Sequence, residues 1–141
     1  MKRLTRILLI LAAVLVAIQF VPITRTNPAV EERVPAPPDV EAILRRSCAD
    51  CHSNETVWPW YSNVAPVSWL VANDVNRARR HLNLSTWNRL SPADRQEAAE
   101  HIREEVLEGE MPLAIYLPLH PEARLSDADK KLIENWTRTL K

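Results

Sequence analysis

The stretch Cys48-Ala49-Asp50-Cys51-His52 decides how this chain reads, because it uses both of its cysteines and sets a histidine directly after the second. Two thiols at this spacing can form thioether bonds to the two vinyl groups of one porphyrin. The adjacent imidazole then falls under the iron as proximal ligand. C-x-x-C-H is thus the attachment signature of a c-type haem, one per chain and covalently held. C-x-x-C alone also serves thioredoxin-like redox centres and half of many zinc sites. A thioredoxin centre needs a βαβ context, whereas this segment is flanked by helical patterns in a chain with few strand-like runs. A structural zinc site usually takes four Cys or His ligands. Beyond the motif only His81, His101 and His120 remain, scattered singly.

Working outward toward the N-terminus, Lys2, Arg3 and Arg6 precede an apolar run from Ile7 to Ile18 that continues through Gln19, Phe20 and Val21 to Pro22. A basic flank before an apolar stretch reads as a secretory signal or a signal anchor, with the basic end left in the cytoplasm. Gln19-Phe20-Val21-Pro22-Ile23 offers no convincing small-x-small cleavage site. Counted from Leu4 to Ile23, the run has about the 20 residues that a bilayer core requires, with Thr5, Arg6 and Gln19 as blemishes. Residues 1–23 are therefore expected to be an uncleaved anchor rather than a removed signal peptide. The reading is a single-pass protein of the bacterial inner membrane with its remaining domain in the periplasm. Covalent haem attachment takes place outside the bacterial cytoplasm, so export and motif agree.

Residues 24–38 carry Pro28, Pro35, Pro37 and Pro38 among mixed charges and show little apolar periodicity. They read as a proline-stiffened tether holding a domain, residues 39–141, some distance from the membrane. That remainder is about 100 residues, enough for one core. Eighteen basic and 18 acidic residues give a net charge of zero, so nothing in the balance favours nucleic acid. Gly109 is the only glycine, which makes a sheet with tight hairpins improbable. An all-α domain wrapped on a haem is the economical fold, the porphyrin supplying apolar core that so small a chain lacks.

The spacing predicts four main helices. Asp39 is an N-cap candidate for the first, which places Val40, Ile43, Leu44 and Ser47 on one side and delivers Cys48 at its end. The second runs from Val67 to about Leu82, with Leu70, Val71, Asp74 and Val75 near one face. Arg77, Arg79 and Arg80 close it, complementing the helix dipole or contacting a haem propionate. Ser91-Pro92-Ala93-Asp94 opens the third, with Ala99, Ile102 and Val106 at helical spacing and Gly109 as C-cap. Ser126-Asp127-Ala128-Asp129 opens the last, whose expected buried stripe is Ala128, Leu132, Ile133, Trp136 and Leu140.

Iron in an electron-transfer cytochrome usually has a second axial ligand, often methionine. Met111, in Gly109-Glu110-Met111-Pro112, is the only methionine after Met1 and lies between two helices rather than on an apolar stripe. It is the expected distal ligand, with core packing as the alternative. His120, on the same long loop, is the runner-up, ahead of His81 and His101. Trp58, Trp60 and Tyr61 form an aromatic cluster expected to pack against the porphyrin or to dock a partner.

Cys48 to His52, then Met111-Pro112, then Leu125 to Ala128 leading to Trp136, resembles the class I cytochrome c layout. More narrowly, the blocks His52 to Thr56, Trp58 to Tyr61, Ala65 to Ser68 and Gly109 to Pro112, with Tyr116 and His120, are similar to the bacterial haem-binding domain family. The resemblance implies that Cys48 and Cys51 attach haem, that His52 is the proximal ligand and that Met111 is the distal one. It also makes the Pro66 carbonyl a candidate partner of the proximal imidazole. The first helix departs from class I, using Val40, Ile43 and Leu44 in place of the usual glycine and aromatic. No acid–base pair, nucleophile or phosphate loop stands out, so the expected role is single-electron transfer between redox partner proteins, not turnover. The rivals are a haem-based sensor or small-ligand binder and an accessory haem subunit of a larger oxidoreductase. An intact mass of the mature protein is expected to retain residues 1–23; a mass short by that segment would show cleavage.

Overall fold

A computed structural model describes residues 2–140 as an all-helical chain with no strand among them. The helices are α1 (Lys2–Ala17), α2 (Pro38–Ser47), α3 (Ala49–His52), α4 (Val67–His81), α5 (Pro92–Glu108) and α6 (Asp127–Thr137), joined by loops with short 3₁₀ turns. Helix α1 stands apart, with every side chain exposed, and a 3₁₀ turn extends it to Phe20. Helices α2, α5 and α6 enclose one core, and α3 and α4 pack together beside it.

Helix α2 buries Val40, Ile43, Leu44 and Ser47, the face its spacing predicts. It packs against α6, where Ile133 and Trp136 are buried, with Leu140 buried just beyond the helix end. Burying an aliphatic or aromatic side chain of this size stabilises by roughly 1.5–3 kcal/mol, so this crossing holds the domain's two ends together. Two details differ from expectation. The helix starts two residues early, at Pro38 with Pro37 as N-cap, and Asp39 lies in the first turn, where its carboxylate accepts the Val40 amide at 2.9 Å. A proline at the first helical position costs no hydrogen bond, which is why the start falls there. On α6, Ala128 and Leu132 face outward while Thr137 is buried, so the stripe is narrower and rotated toward Thr137.

The ends of α5 and α6 follow their sequences closely. Ser91 and Ser126 each cap a helix with a reciprocal partner, Asp94 and Asp129, and Gly109 ends α5 at φ +82°. That left-handed conformation suits glycine alone among common residues without strain.

Of the proline-rich stretch 24–38, Pro38 opens α2 and the rest is non-helical, yet it does not hold the domain off. The amides of Glu31 and Val34 donate to the carbonyls of Ser85 and Leu84, each at 2.9 Å, and Trp87 donates back to Glu32 at 3.0 Å. Val34 is buried beside Leu84 and Trp87. An extended segment presents unpaired amides, and a neighbouring segment that offers carbonyls in register satisfies them. The Trp136 indole completes the attachment by donating to the Pro35 carbonyl at 2.9 Å.

Asp129 also receives Arg46 at 2.7 Å, tying α6 to the end of α2. Partial burial opposes its ionisation, but the hydrogen bonds from Ser126 and the Arg46 guanidinium prevail and hold the carboxyl below the ordinary aspartate range. A lowered folded pKa means the contribution is complete above the unfolded value and is lost as pH falls through the folded one. Asp129→Ala is expected to cost about 1–2 kcal/mol at neutral pH. In urea melts the gap between variant and wild type should narrow below about pH 4; a constant gap would show that the carboxylate charge is not responsible.

Candidate haem site

The motif sits where one helix stops and another starts. Cys48 is the C-cap of α2, its amide still bonded to the Leu44 carbonyl, and its non-helical backbone turns the chain into the single turn α3. The amides of Cys51 and His52 both donate to the Cys48 carbonyl, at 3.2 and 2.9 Å. Both thiols are free and partly buried. Burial pushes Cys48 up to about 12, helped by the neighbouring Cys51, and pushes Cys51 up to about 11, helped by Asp50 and Asp74. The pair is thus held as neutral thiols, unlike the acidified cysteine of a redox-active C-x-x-C centre.

His52 is oriented from two directions. Its Nδ1 lies 3.2 Å from the Leu82 carbonyl, and its own carbonyl accepts the Leu84 amide at 2.7 Å. A carbonyl only accepts, so Nδ1 carries the proton and Nε2 keeps the lone pair a metal needs. Burial lowers the imidazole's basicity, against a smaller opposing effect of the Leu82 and Ala78 carbonyls. The ring is accordingly neutral at physiological pH. Leu82, the C-cap of α4, thus occupies the role expected of Pro66. Sequence reasoning missed it because the supporting group is a backbone carbonyl 30 residues away, to which no side-chain type points.

The chain leaving the motif is held by buried polar groups. Ser53, Asn54 and Thr56 are all buried. Asn54 donates from its side chain to the Ala29 carbonyl at 2.8 Å, accepts from Asn83 at 2.8 Å, and donates its amide to the Ser85 hydroxyl at 3.0 Å. Arg79 donates to the carbonyls of Ser53 and Thr26, both at 2.7 Å, and to Thr56 Oγ1 and Asn27 Oδ1 at 2.8 and 3.0 Å. Of the three arginines considered for a propionate, Arg79 is therefore committed to protein acceptors, while Arg77 and Arg80 are exposed.

Met111 follows directly on the end of α5. The amides of Glu110 and Met111 both donate to the Glu105 carbonyl, at 3.0 and 3.1 Å, and Met111 is half-buried. The Glu105 carboxylate also acts on His52, raising its basicity slightly, so the last turns of α5 connect the methionine loop to His52. The runner-up His120 is engaged elsewhere. Its Nε2 is 2.7 Å from the Tyr61 hydroxyl, its Nδ1 3.2 Å from Glu122, and its ring stacks on Tyr116 at 3.9 Å and 6°. Tyr116 in turn donates to Asp50 Oδ2 at 2.7 Å, within the motif itself. His81 and His101 are exposed, and His101 lies 3.9 Å from Glu105.

The aromatic cluster divides. Tyr61 joins the His120 contact, Trp58 donates to Asn27 at 3.3 Å, and Trp60 is 75% exposed. A cleft of about 820 Å³ lies apart from the motif, between the end of α4 and α5, and contains none of Cys48, Cys51, His52 or Met111. Its wall is largely charged, with Arg79, Arg80, Arg89, Asp94, Glu97 and Glu104, which does not suit a porphyrin face.

The model of one protein family, described as a haem-binding domain, matches residues 13–139. The chain belongs to the haem-binding domain family. No curated protein and no solved structure gave a match. The residues present fit the haem that gives the family its name. Two neutral thiols stand on consecutive turns beside an imidazole whose Nε2 is left free, and apolar Leu70 remains exposed on α4, which packs against α3.

Arg79→Met keeps the stem and removes every donor from this haem-binding domain's clamp. Charged donors to neutral acceptors are worth roughly 1.5–3 kcal/mol each, and not additively. The variant is expected to lose at least about 2 kcal/mol in denaturant unfolding and to expose residues 24–30 to limited proteolysis. Unchanged stability would show that the clamp contributes little.

Proposed function

We propose that Cys48 and Cys51 hold the haem covalently, that His52 and Met111 ligate its iron, and that the chain passes single electrons between redox partners. In this reading it is a membrane-anchored cytochrome of the periplasmic side, with α1 as the span. The observation that carries the reading is the hydrogen bonding of the histidines. His52 spends Nδ1 on Leu82 and keeps Nε2 available, while His120 has both ring nitrogens engaged and a face stacked. That leaves Met111 as the one soft donor on the loop after α5.

The bound haem supplies a one-electron couple, and the protein's part is to set its potential and its access to solvent. The Leu82 carbonyl fixes the proximal ring and strengthens it as a donor. The two hydrogen bonds that the amides of Glu110 and Met111 donate to the Glu105 carbonyl restrict the methionine loop. Asp50, Tyr116, His120 and Tyr61 join the motif to the far end of the same loop through two hydrogen bonds and a ring stack, so motif and loop belong to one frame. Such a frame limits geometric change between oxidation states, which favours electron transfer over ligand capture.

The test is the visible spectrum of the reduced, matured protein before and after carbon monoxide. An unchanged low-spin spectrum is expected for the wild type, and Met111→Ala should bind the gas readily. Rapid binding by the wild type would favour a sensor, and a variant spectrum unmoved by the gas would remove Met111 as ligand. Denaturation in acidified organic solvent should leave haem on the polypeptide, and Cys48→Ser with Cys51→Ser should release it.

A further inference from the structure

We propose that the domain lies directly against the membrane, on the face formed by residues 57–69 and the end of the apolar helix, with Trp60 and Trp69 in the lipid interface. The proposal rests on the reading of α1 as a span and adds to it an orientation and a lipid-contacting surface.

The end of the helix is bonded to the domain, not merely linked to it. Gln19 Oε1 accepts the Ala65 amide at 2.9 Å while its Nε2 donates to the Ala65 carbonyl at 3.0 Å. A few residues on, Arg25 donates to the Ser62 carbonyl and to the Asn63 side chain. The apolar segment Lys2–Phe20 has 19 residues and a mean hydropathy of 2.0. At ~1.5 Å per α-helical residue, and slightly more in the 3₁₀ turn, it is ~30 Å long, the thickness of a hydrocarbon core. With the basic end at one boundary, Gln19 falls at the other, and Ala65 is one side chain from it.

The surface around Ala65 has the chemistry that such a position requires. From Thr56 to Asn73 the sequence contains no Asp, Glu, Lys, Arg or His, in a chain that is 26% charged. Trp60 is 75% exposed, Phe20 82%, Val64 46%, Val67 44% and Trp69 36%. Trp60 stands edge-on to Tyr61 in the 3₁₀ turn that Arg25 grips through Ser62 and Asn63. Exposed indoles beside uncharged, apolar neighbours are the composition of an interfacial belt. A second copy or another protein would also suit an apolar face, but the Gln19 pairing puts lipid there first.

The experiment uses the full haem-loaded chain in phosphatidylcholine/phosphatidylglycerol vesicles. Photoreactive benzoylphenylalanine is placed singly at position 10 in the helix, at position 60, and at the exposed position 96 on α5, with the haem spectrum confirming the fold of each variant. Lipid adducts at 10 and 60 and none at 96 are expected. Adducts at 10 without lipid at 60, or protein adducts at 60 in place of lipid, would overturn the proposed face and leave the span intact. No lipid adduct at 10 would overturn the span and the face together. Gln19→Ala should cut lipid adducts at 60 at least threefold without changing those at 10; equal yields would overturn the role of the Gln19 pairing.

Discussion

Everything at the candidate site depends on how His52 is held. Its ring nitrogen meets the Leu82 carbonyl and its own carbonyl accepts the Leu84 amide, so one short segment grips the residue by side chain and backbone together. The grip works because α4 ends at His81 and frees its last carbonyls for other partners. The same segment continues as the partner of the N-terminal arm, through Leu84 to Val34 and Ser85 to Glu31. Movement of residues 82–85 would therefore disturb the His52 imidazole and the arm at once.

Around that segment the domain uses buried polar groups where larger proteins use apolar bulk. Ser53, Asn54, Ser62, Ser68, Ser85 and Thr137 are buried, as is little aromatic surface apart from Trp87 and Trp136. A buried polar side chain costs free energy unless its partners are present, and Asn54, Ser85 and Asn83 satisfy one another and the backbone. Such networks specify one arrangement of the loops around α3. Arg79 closes the network without a carboxylate, spreading its charge over two carbonyls, a hydroxyl and an amide oxygen.

Family membership and the local geometry bear on different questions. The match over residues 13–139 assigns haem binding and takes in the second half of the apolar helix along with the arm. The hydrogen bonds explain how a chain of this size holds an imidazole ready. They also explain why the arm travels with the domain: its amides, Val34 and the acceptors at Thr26 and Asn27 are all used by groups beyond residue 50.

Much was legible before any coordinates. The C-x-x-C-H motif, the capping serines Ser91 and Ser126, Gly109 at the end of α5 and the α2 stripe all act within a few residues, through fixed side-chain chemistry or helical periodicity. The sequence by itself therefore determined the main helices, the kind of cofactor and which residues are candidates to hold it. Tertiary structure alone decided which carbonyl supports His52, that His120 is occupied by Tyr61, Tyr116 and Glu122, and that Arg79 serves the protein's own loops. It also decided that the proline-rich arm lies along the domain and that Gln19, a blemish in an apolar run, pairs with Ala65. Each of these is a hydrogen bond or ring contact that either uses a backbone group, which is the same in every residue, or joins partners far apart in sequence. Neither kind leaves a periodicity to read, and only folding brings the partners together.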